Sequence, residues 1–100
     1  MRIPLYVCPE FRIECEFNRR GMLFLHNDVY RYSPRIHREL RRVFNSVCHN
    51  LQRAGVKRLF TLVKDEKTIK YNEMFGFRPT GIVEKRIGAE LRMLELKDQP

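Results

Sequence analysis

The chain has 100 residues, the length of one ordinary domain, so we expect a single domain over residues 1–100. With 43% hydrophobic and 11% aromatic residues it can bury a core, which excludes a disordered tail. Its 20 basic and 12 acidic residues give a net charge of +8, and it has no apolar run of about 18 residues that could span a membrane.

The amino terminus and the cysteines predict a cytoplasmic protein without disulfides or metal. The first apolar stretch is interrupted at Pro4 and Pro9 and is too short for a signal peptide. Cys8, Cys15 and Cys48 are odd in number and lack C-x-x-C spacing. This pattern argues against a disulfide framework or a zinc site and predicts buried, reduced thiols.

Strands are predicted in the first part of the chain. Residues Phe11–Phe17 alternate strictly between apolar and polar, the pattern of a half-buried antiparallel strand. Asn18–Gly21 predicts a turn, and the apolar run Met22–His26 is the expected partner strand. A third strand, Ile3–Val7, lies between prolines and is therefore expected at a sheet edge.

A long helix follows. Ser33 and Pro34 predict its start, because a capping hydroxyl precedes a proline at the first helical position. From Ile36 to Ala54, apolar residues recur at steps of three and four, and Gly55 suits the carboxyl-terminal cap. The arginines that lie off this stripe, and are expected to face solvent, are Arg35, Arg38, Arg41 and Arg42.

The remaining elements complete an α+β pattern. They are a strand at Val56–Val63, a helix at Glu66–Phe75 capped by Asp65 and ended by Gly76, a hairpin of Gly81–Arg86 with Ala89–Leu96, and a polar tail at Lys97–Pro100. The order β-β-β-α-β-α-β-β predicts helices packed on a mostly antiparallel sheet. The central strand, helix and strand indicate a parallel or splayed pair.

The positive charge is concentrated in one segment. Between Arg31 and Arg58 there are eight basic residues and one acidic residue, Glu39, so this segment carries +7 of the net +8. Such a surface implies an anionic partner: nucleic acid, a phosphorylated cofactor or an acidic protein face. The alternative is a solvated helix face that only keeps the protein soluble.

The second helix has the pattern Asp65-x-x-Thr68-Ile69-x-Tyr71-Asn72-x-x-Phe75-Gly76-Phe77. This pattern resembles the closing helix of the GNAT superfamily of acyl-CoA N-acyltransferases. Within it, the stretch from Val29 to Leu96 is most similar to small GNAT-like proteins of short-tailed bacteriophages, some of which are internal virion or assembly proteins. The resemblance implies a truncated GNAT-like fold, because the chain is too short for the family's first strand and two helices.

The resemblance also implies a phosphate-binding loop. The family binds the pyrophosphate of acyl-CoA on R-x-x-G-x-G/A at a helix amino terminus, where glycines let backbone amides approach the phosphates. Here the corresponding stretch has no glycine, and Pro34 removes one amide donor. The residues left to form this degenerate loop are Arg31, Ser33, Arg35, Ile36 and Arg38. We therefore expect no cofactor, or acetyl-CoA if the chain is catalytic.

Two residues are candidates for catalysis. The family protonates the departing thiolate with a tyrosine, but the aligned residue here is Asn72, which has no titrating group. Tyr71 is adjacent, turned by about 100° on the helix. His26 is the candidate general base, although a histidine at a strand end is usually an ordinary polar terminus.

These observations support three hypotheses. The first is a phage-type GNAT-like protein with a degenerate acyl-CoA site, which acts in the virion, in assembly or on a host protein. It would bind an acidic phage or host surface, or nucleic acid, through Arg35, Arg38, Arg41 and Arg42. The expected location is the host cytoplasm or the virion.

The second hypothesis is an acetyl-CoA-dependent N-acetyltransferase, and the third is a nucleic-acid-binding module in which Tyr30, Tyr32 and Tyr71 stack on bases. Catalysis requires a V-shaped cleft between Met22–His26 and Leu59–Val63, open to the start of the long helix. A binding protein instead requires that side chains close this cleft.

Overall fold

The computed structural model describes residues 1–96, which form one six-stranded sheet and two helices. The elements in chain order are β1 (Ile3–Val7), β2 (Phe11–Phe17), β3 (Leu23–Val29), α1 (Pro34–Arg53), β4 (Arg58–Val63), α2 (Glu66–Met74), β5 (Arg78–Glu84) and β6 (Ala89–Glu95). This order confirms the predicted α+β fold. The predicted tail, Lys97–Pro100, lies outside the described residues.

The sheet has the strand order β1-β2-β3-β4-β6-β5, with β1 at an edge as predicted. Every neighbouring pair is antiparallel except β3 and β4, which are connected through α1 and run parallel. Their parallel register consists of one residue pair, Phe24 opposite Phe60. Most of the two facing edges is therefore left unpaired, which is the splayed arrangement that the strand-helix-strand pattern indicated.

Several strand ends differ from the prediction because pairing with a neighbour, rather than hydrophobicity, decides where a strand ends. β3 continues past His26 to Val29, since Val29 lies opposite Phe11 of β2. β4 begins at Arg58 because the amide of Val56 donates to Leu51 O at 3.0 Å and closes the end of α1.

The last hairpin differs in the same way. β5 begins at Arg78, ahead of the predicted Gly81, because Arg78 lies opposite Met93 of β6. Pro79 is accommodated within β5 because β5 is an edge strand and its register with β6 shifts between Pro79 and Val83.

The core forms where α1 packs on the sheet. Leu40, Val43 and Phe44 of α1 are buried. The strand residues in the same core are Phe11, Ile13, Cys15, Leu23, Leu25 and Leu59. Phe75, at the end of α2, joins this core with its ring centroid 4.6 Å from that of Phe44. Both helices therefore share one core.

Glu14 is a polar residue that the alternation of β2 placed on the solvent side. It is only 8% exposed. Arg2 Nη1 lies 3.6 Å from its Oε1 and Arg12 Nη1 lies 3.7 Å from its Oε2. The two guanidinium groups cover the carboxylate and pair with it, which compensates its burial.

We expect Leu40→Ala to lower the free energy of unfolding by about 2–5 kcal/mol, because it leaves a cavity between α1 and the sheet. The matched control is Leu62→Ala, which removes the same atoms at a position that is 37% exposed and should cost about 1 kcal/mol or less. Urea unfolding measures both. Equal losses would contradict the placement of the core.

Candidate functional site

A cleft opens where β3 and β4 diverge beyond their single pair. Its inner part is a cavity of about 160 Å³ at the carboxyl ends of the two strands. It is lined by residues 25–28 of β3, Thr61 and Leu62 of β4, and Thr68, Tyr71 and Asn72 of α2. A cavity of about 550 Å³ shares Asn27, Thr68 and Tyr71 with it and reaches Tyr32, next to the start of α1. The cleft lies where the catalytic hypothesis expected one. Its inner part is smaller than the roughly 300–1,000 Å³ of small-molecule sites, because side chains of β3, β4 and α2 occupy much of the space between the two strands.

Two buried polar atoms at this cleft have no hydrogen-bond partner. They are Asn27 Oδ1 and Tyr71 Oη, and both residues line both cavities. Leaving a buried polar group unpaired costs about 1–3 kcal/mol. Both atoms are therefore unsatisfied polar groups at the wall of the cleft. Asn27 was not predicted as a site residue, because the predicted strand ended at His26 and only the structure extends β3 through Asn27 to Val29.

Tyr71 keeps its proton at neutral pH. Burial is the main cause that raises the pKa of its hydroxyl well above the usual value near 10, and Tyr32 adds to the increase. Asn72 also lines the inner cavity, and its Nδ2 donates to Thr68 O at 2.8 Å. Tyr71 and Asn72 thus both line the cleft, although they are adjacent on α2. Of these two residues, only Tyr71 has a group that can donate a proton by titration.

His26 lies inside β3 rather than at its end. Its Nε2 is 2.6 Å from Oε1 of Glu16, which stands on the neighbouring strand β2. Both side chains are partly buried, so this carboxylate orients the imidazole ring. His26 and Tyr71, the two catalytic candidates, line the same inner cavity.

The candidate phosphate-loop residues do not converge on this cleft. Arg35 and Ile36 line a different cavity, of about 240 Å³, together with Tyr6 and Glu10. Arg31 and Arg38 are exposed, and Ser33 is partly buried. The cations that do line the larger cavity of the cleft are Lys67 and Lys70 of α2, which the sequence analysis did not single out.

The start of α1 offers few amides to a phosphate. Pro34 has none, and the amide of Ile36 donates to Oγ of the capping Ser33 at 3.1 Å. The amide of His37 donates to Ser33 O at 2.9 Å. In this first turn only the amide of Arg35 remains for an anion. A helix amino terminus binds anions through several free amides, so this one is a poor phosphate site.

The outer face of α1, defined here as Arg35, Arg38, Arg41 and Arg42, is exposed as predicted. Arg42 Nη2 pairs with Glu39 Oε1. The other three guanidinium groups have no carboxylate within 4 Å among residues 1–96. No large hydrophobic side chain is exposed between residues 33 and 61. Charge therefore dominates this face.

The cysteines form no disulfide or metal site in the described part of the chain. The three cysteines are free thiols, and burial raises the pKa of Cys48 to about 12. Within residues 1–96 there is no group of three or more His, Cys, Asp or Glu side chains that could hold a metal ion. The same residues include no helix long and apolar enough to cross a membrane.

Comparison of the chain with family models, with curated proteins and with solved structures finds no match. The relationship to the GNAT superfamily therefore stays a prediction. The observations that bear on it are the pattern from Asp65 to Phe77, the strand order and the splayed pair β3–β4.

We expect Tyr71→Phe to unfold at pH 7 with a free energy equal to that of the wild type or higher by up to about 1 kcal/mol, because an unpaired buried hydroxyl is removed. Above pH 10 the wild type should lose stability relative to this variant. In the unfolded chain Tyr71 releases its proton near pH 10, whereas in the folded chain it does so only at higher pH.

Urea unfolding between pH 7 and 11 measures this difference. The control is Tyr30→Phe, whose side chain is 60% exposed and which should follow the wild type at every pH. If Tyr71→Phe lost several kcal/mol at pH 7, its hydroxyl would have a protein partner and would not be free for a ligand.

Proposed function

We propose that this chain is a GNAT-like binding domain with a degenerate acyl-CoA site, which binds an anionic partner through the outer face of α1. The observation that carries this proposal is the set of guanidinium groups on that face that have no acidic partner among the described residues. An exposed arginine that is not neutralised within its own chain is available to a carboxylate or phosphate of another molecule.

The geometry of α1 suits an extended anionic surface. At about 100° per residue, Arg35, Arg38 and Arg42 lie within an arc of about 60°. They extend over about 10 Å at 1.5 Å per residue. The opposite face holds Leu40, Val43 and Phe44 in the core, so the helix cannot rotate the arginines away from solvent. The arginines are thus presented on a rigid element.

The partner follows from this charge and from the family resemblance. Either the acidic surface of a phage or host protein or the phosphates of a nucleic acid would neutralise the outer face of α1. The similarity to GNAT-like proteins of short-tailed bacteriophages supports a role in the virion, in assembly or on a host protein. The lack of exposed large hydrophobic side chains on this face means that charge, not apolar burial, supplies most of the binding energy.

The degenerate cofactor site is supported by two features. One amide remains free at the start of α1, and the arginines of the predicted loop do not line the cleft. Acyl-CoA would therefore lack the hydrogen bonds that hold its pyrophosphate.

We expect the double variant Arg38→Glu with Arg42→Glu to weaken binding to the anionic partner by about tenfold or more at physiological salt. If the partner is duplex DNA, the log–log salt slope should become shallower by about 0.9 for each phosphate that the variant no longer neutralises. The measurement is co-purification with DNA, RNA and proteins from the producing cell, followed by binding at several salt concentrations.

The matched control is Lys85→Glu with Arg86→Glu, which makes the same charge change in the exposed β5–β6 turn. Both double variants should melt like the wild type, since all four positions are exposed. A folded Arg38/Arg42 variant that keeps every partner of the wild type would show that α1 has only a solvated face.

A second candidate function, N-acyltransfer, is favoured by the cleft itself. His26 and Tyr71 line its inner cavity, and they have the chemistry of a general base and a general acid. In this proposal His26, oriented by Glu16, removes a proton from an amine. The amine nitrogen bonds to the thioester carbonyl carbon, the C–S bond breaks, and the protonated hydroxyl of Tyr71 delivers its proton to the departing thiolate.

Acetyl-CoA distinguishes the two candidates. We expect it to bind weakly or not at all, because Pro34 and the Ser33 cap leave a single free amide for its pyrophosphate. Isothermal titration calorimetry measures this affinity, and a pantetheine thioester without the pyrophosphate is the control ligand. The two ligands should bind equally weakly. Micromolar affinity for acetyl-CoA alone would make the acyltransferase the leading function.

A further inference from the structure

A groove of about 900 Å³ lies at the end of the sheet opposite the cleft, between the amino-terminal ends of β3 and β4. Two turns form its rims. The β2–β3 turn contributes Gly21, and the α1–β4 connection contributes Gly55 and Lys57. This volume is within the range of small-ligand sites and exceeds that of the cleft.

Both rims are held by hydrogen bonds. On the first, Asn18 Oδ1 accepts the amides of Arg20 and Met22, each at 2.9 Å. On the second, Gly55 adopts φ +96° and ends α1, and Lys57 O accepts the amide of Leu96 at 2.9 Å. The groove is therefore part of the folded frame, and a ligand would not have to order its walls.

The groove is strongly basic. Lys57 and Arg58 line it, and three more arginines, Arg19, Arg20 and Arg53, lie within two residues of its glycines. All five are exposed. The carboxylate that lines the groove is Glu95, whose Oε1 is 3.9 Å from Nε of Arg58. Among residues 1–96, five cations and one carboxylate at this end leave an excess of positive charge that attracts a polyanion.

The groove also contains aromatic surface. Phe17 lines it at the end of β2 and is 60% exposed, although the other apolar residues of that strand are buried. Phe60 of β4 lines it too and is partly buried. Exposed phenylalanine beside a group of cations is the combination that binds unpaired bases, because the ring stacks on a base while the cations contact phosphates.

We propose that this groove binds single-stranded nucleic acid, with phosphates on Lys57 and Arg58 and a base stacked on Phe17. A duplex fits poorly, because its bases are stacked on each other inside and present no free face to Phe17. The groove is distinct from the outer face of α1, since Arg42 and Arg53 are separated by about three helical turns. The proposal therefore does not depend on the partner of that face.

The test uses four labelled probes of eight units: oligo-dT, oligo-rU, an abasic deoxyribose-phosphate chain and polyglutamate. We expect the wild type to bind both base-bearing strands in fluorescence anisotropy, with a log–log salt slope of about −0.7 per neutralised phosphate. Lys57→Glu with Arg58→Glu should weaken binding about tenfold or more and make this slope shallower. Phe17→Ala should weaken oligo-dT about fivefold or more and leave the abasic probe unchanged.

Two controls separate this groove from net charge and from the outer face of α1. Lys85→Glu with Arg86→Glu makes the same charge change elsewhere and should bind within about twofold of the wild type. Arg38→Glu with Arg42→Glu should also keep its affinity for the short strands, even if it loses the partner of α1. Thermal melting of each variant checks its fold, and Phe17→Ala removes an exposed ring, so it should melt like the wild type.

Three results would overturn the proposal. The first is no binding of either base-bearing strand below about 100 µM, which is weak for any specific complex. The second is equal weakening by the groove variant and the Lys85/Arg86 control, which would assign the binding to net charge. The third is equal affinity for oligo-dT, the abasic probe and an eight-residue polyglutamate, together with no effect of Phe17→Ala. This result would show that the groove binds any acidic chain.

Discussion

The packing of α1 against the sheet is the interaction on which the other features depend. Leu40, Val43 and Phe44 are buried on one side of this helix. Because their side is held in the core, the outer face of α1 is held in solvent. The same packing places α1 as the crossover between β3 and β4, which makes these strands parallel neighbours. Without this packing, neither the basic surface nor the frame of the two cavities would form.

The single pair between Phe24 and Phe60 creates a cavity at each end of the β3–β4 junction. At the carboxyl ends, the divergence leaves Asn27 Oδ1 and Tyr71 Oη buried without partners. At the amino ends, it leaves a wide groove bounded by two turns. A continuous parallel ladder would have paired the strand edges and closed both spaces. The irregular pairing is thus the physical origin of the candidate binding sites.

The cleft and the groove, at the two ends of the β3–β4 junction, differ in the charged groups that line them. At the cleft, Lys67 and Lys70 stand beside buried polar atoms, and the helix terminus that would bind a phosphate is already satisfied by Ser33. At the groove, Lys57 and Arg58 border exposed aromatic surface. The cleft thus combines cations with buried polar atoms, and the groove combines cations with aromatic surface. The basic residues of the chain are distributed over more than one surface.

The sequence by itself determined the element order, the α+β class, the core-facing stripe of α1 and the exposure of its arginines. These features follow from local periodicity and from caps such as Ser33 and Gly55, and all of them need only neighbouring residues. Local pattern also predicted a parallel or splayed pair, because a strand, a helix and a strand in succession allow few connections.

Only the tertiary structure decided the extent of β3, the burial of Glu14 and the location of the candidate binding surfaces. The end of β3 depends on its pairing with Phe11, and the burial of Glu14 depends on Arg2, which precedes the neighbouring strand β1. The groove brings together Phe17 and Lys57, residues far apart in the chain. Such contacts have no signature in local periodicity, because they depend on which strands become neighbours and where their pairing stops.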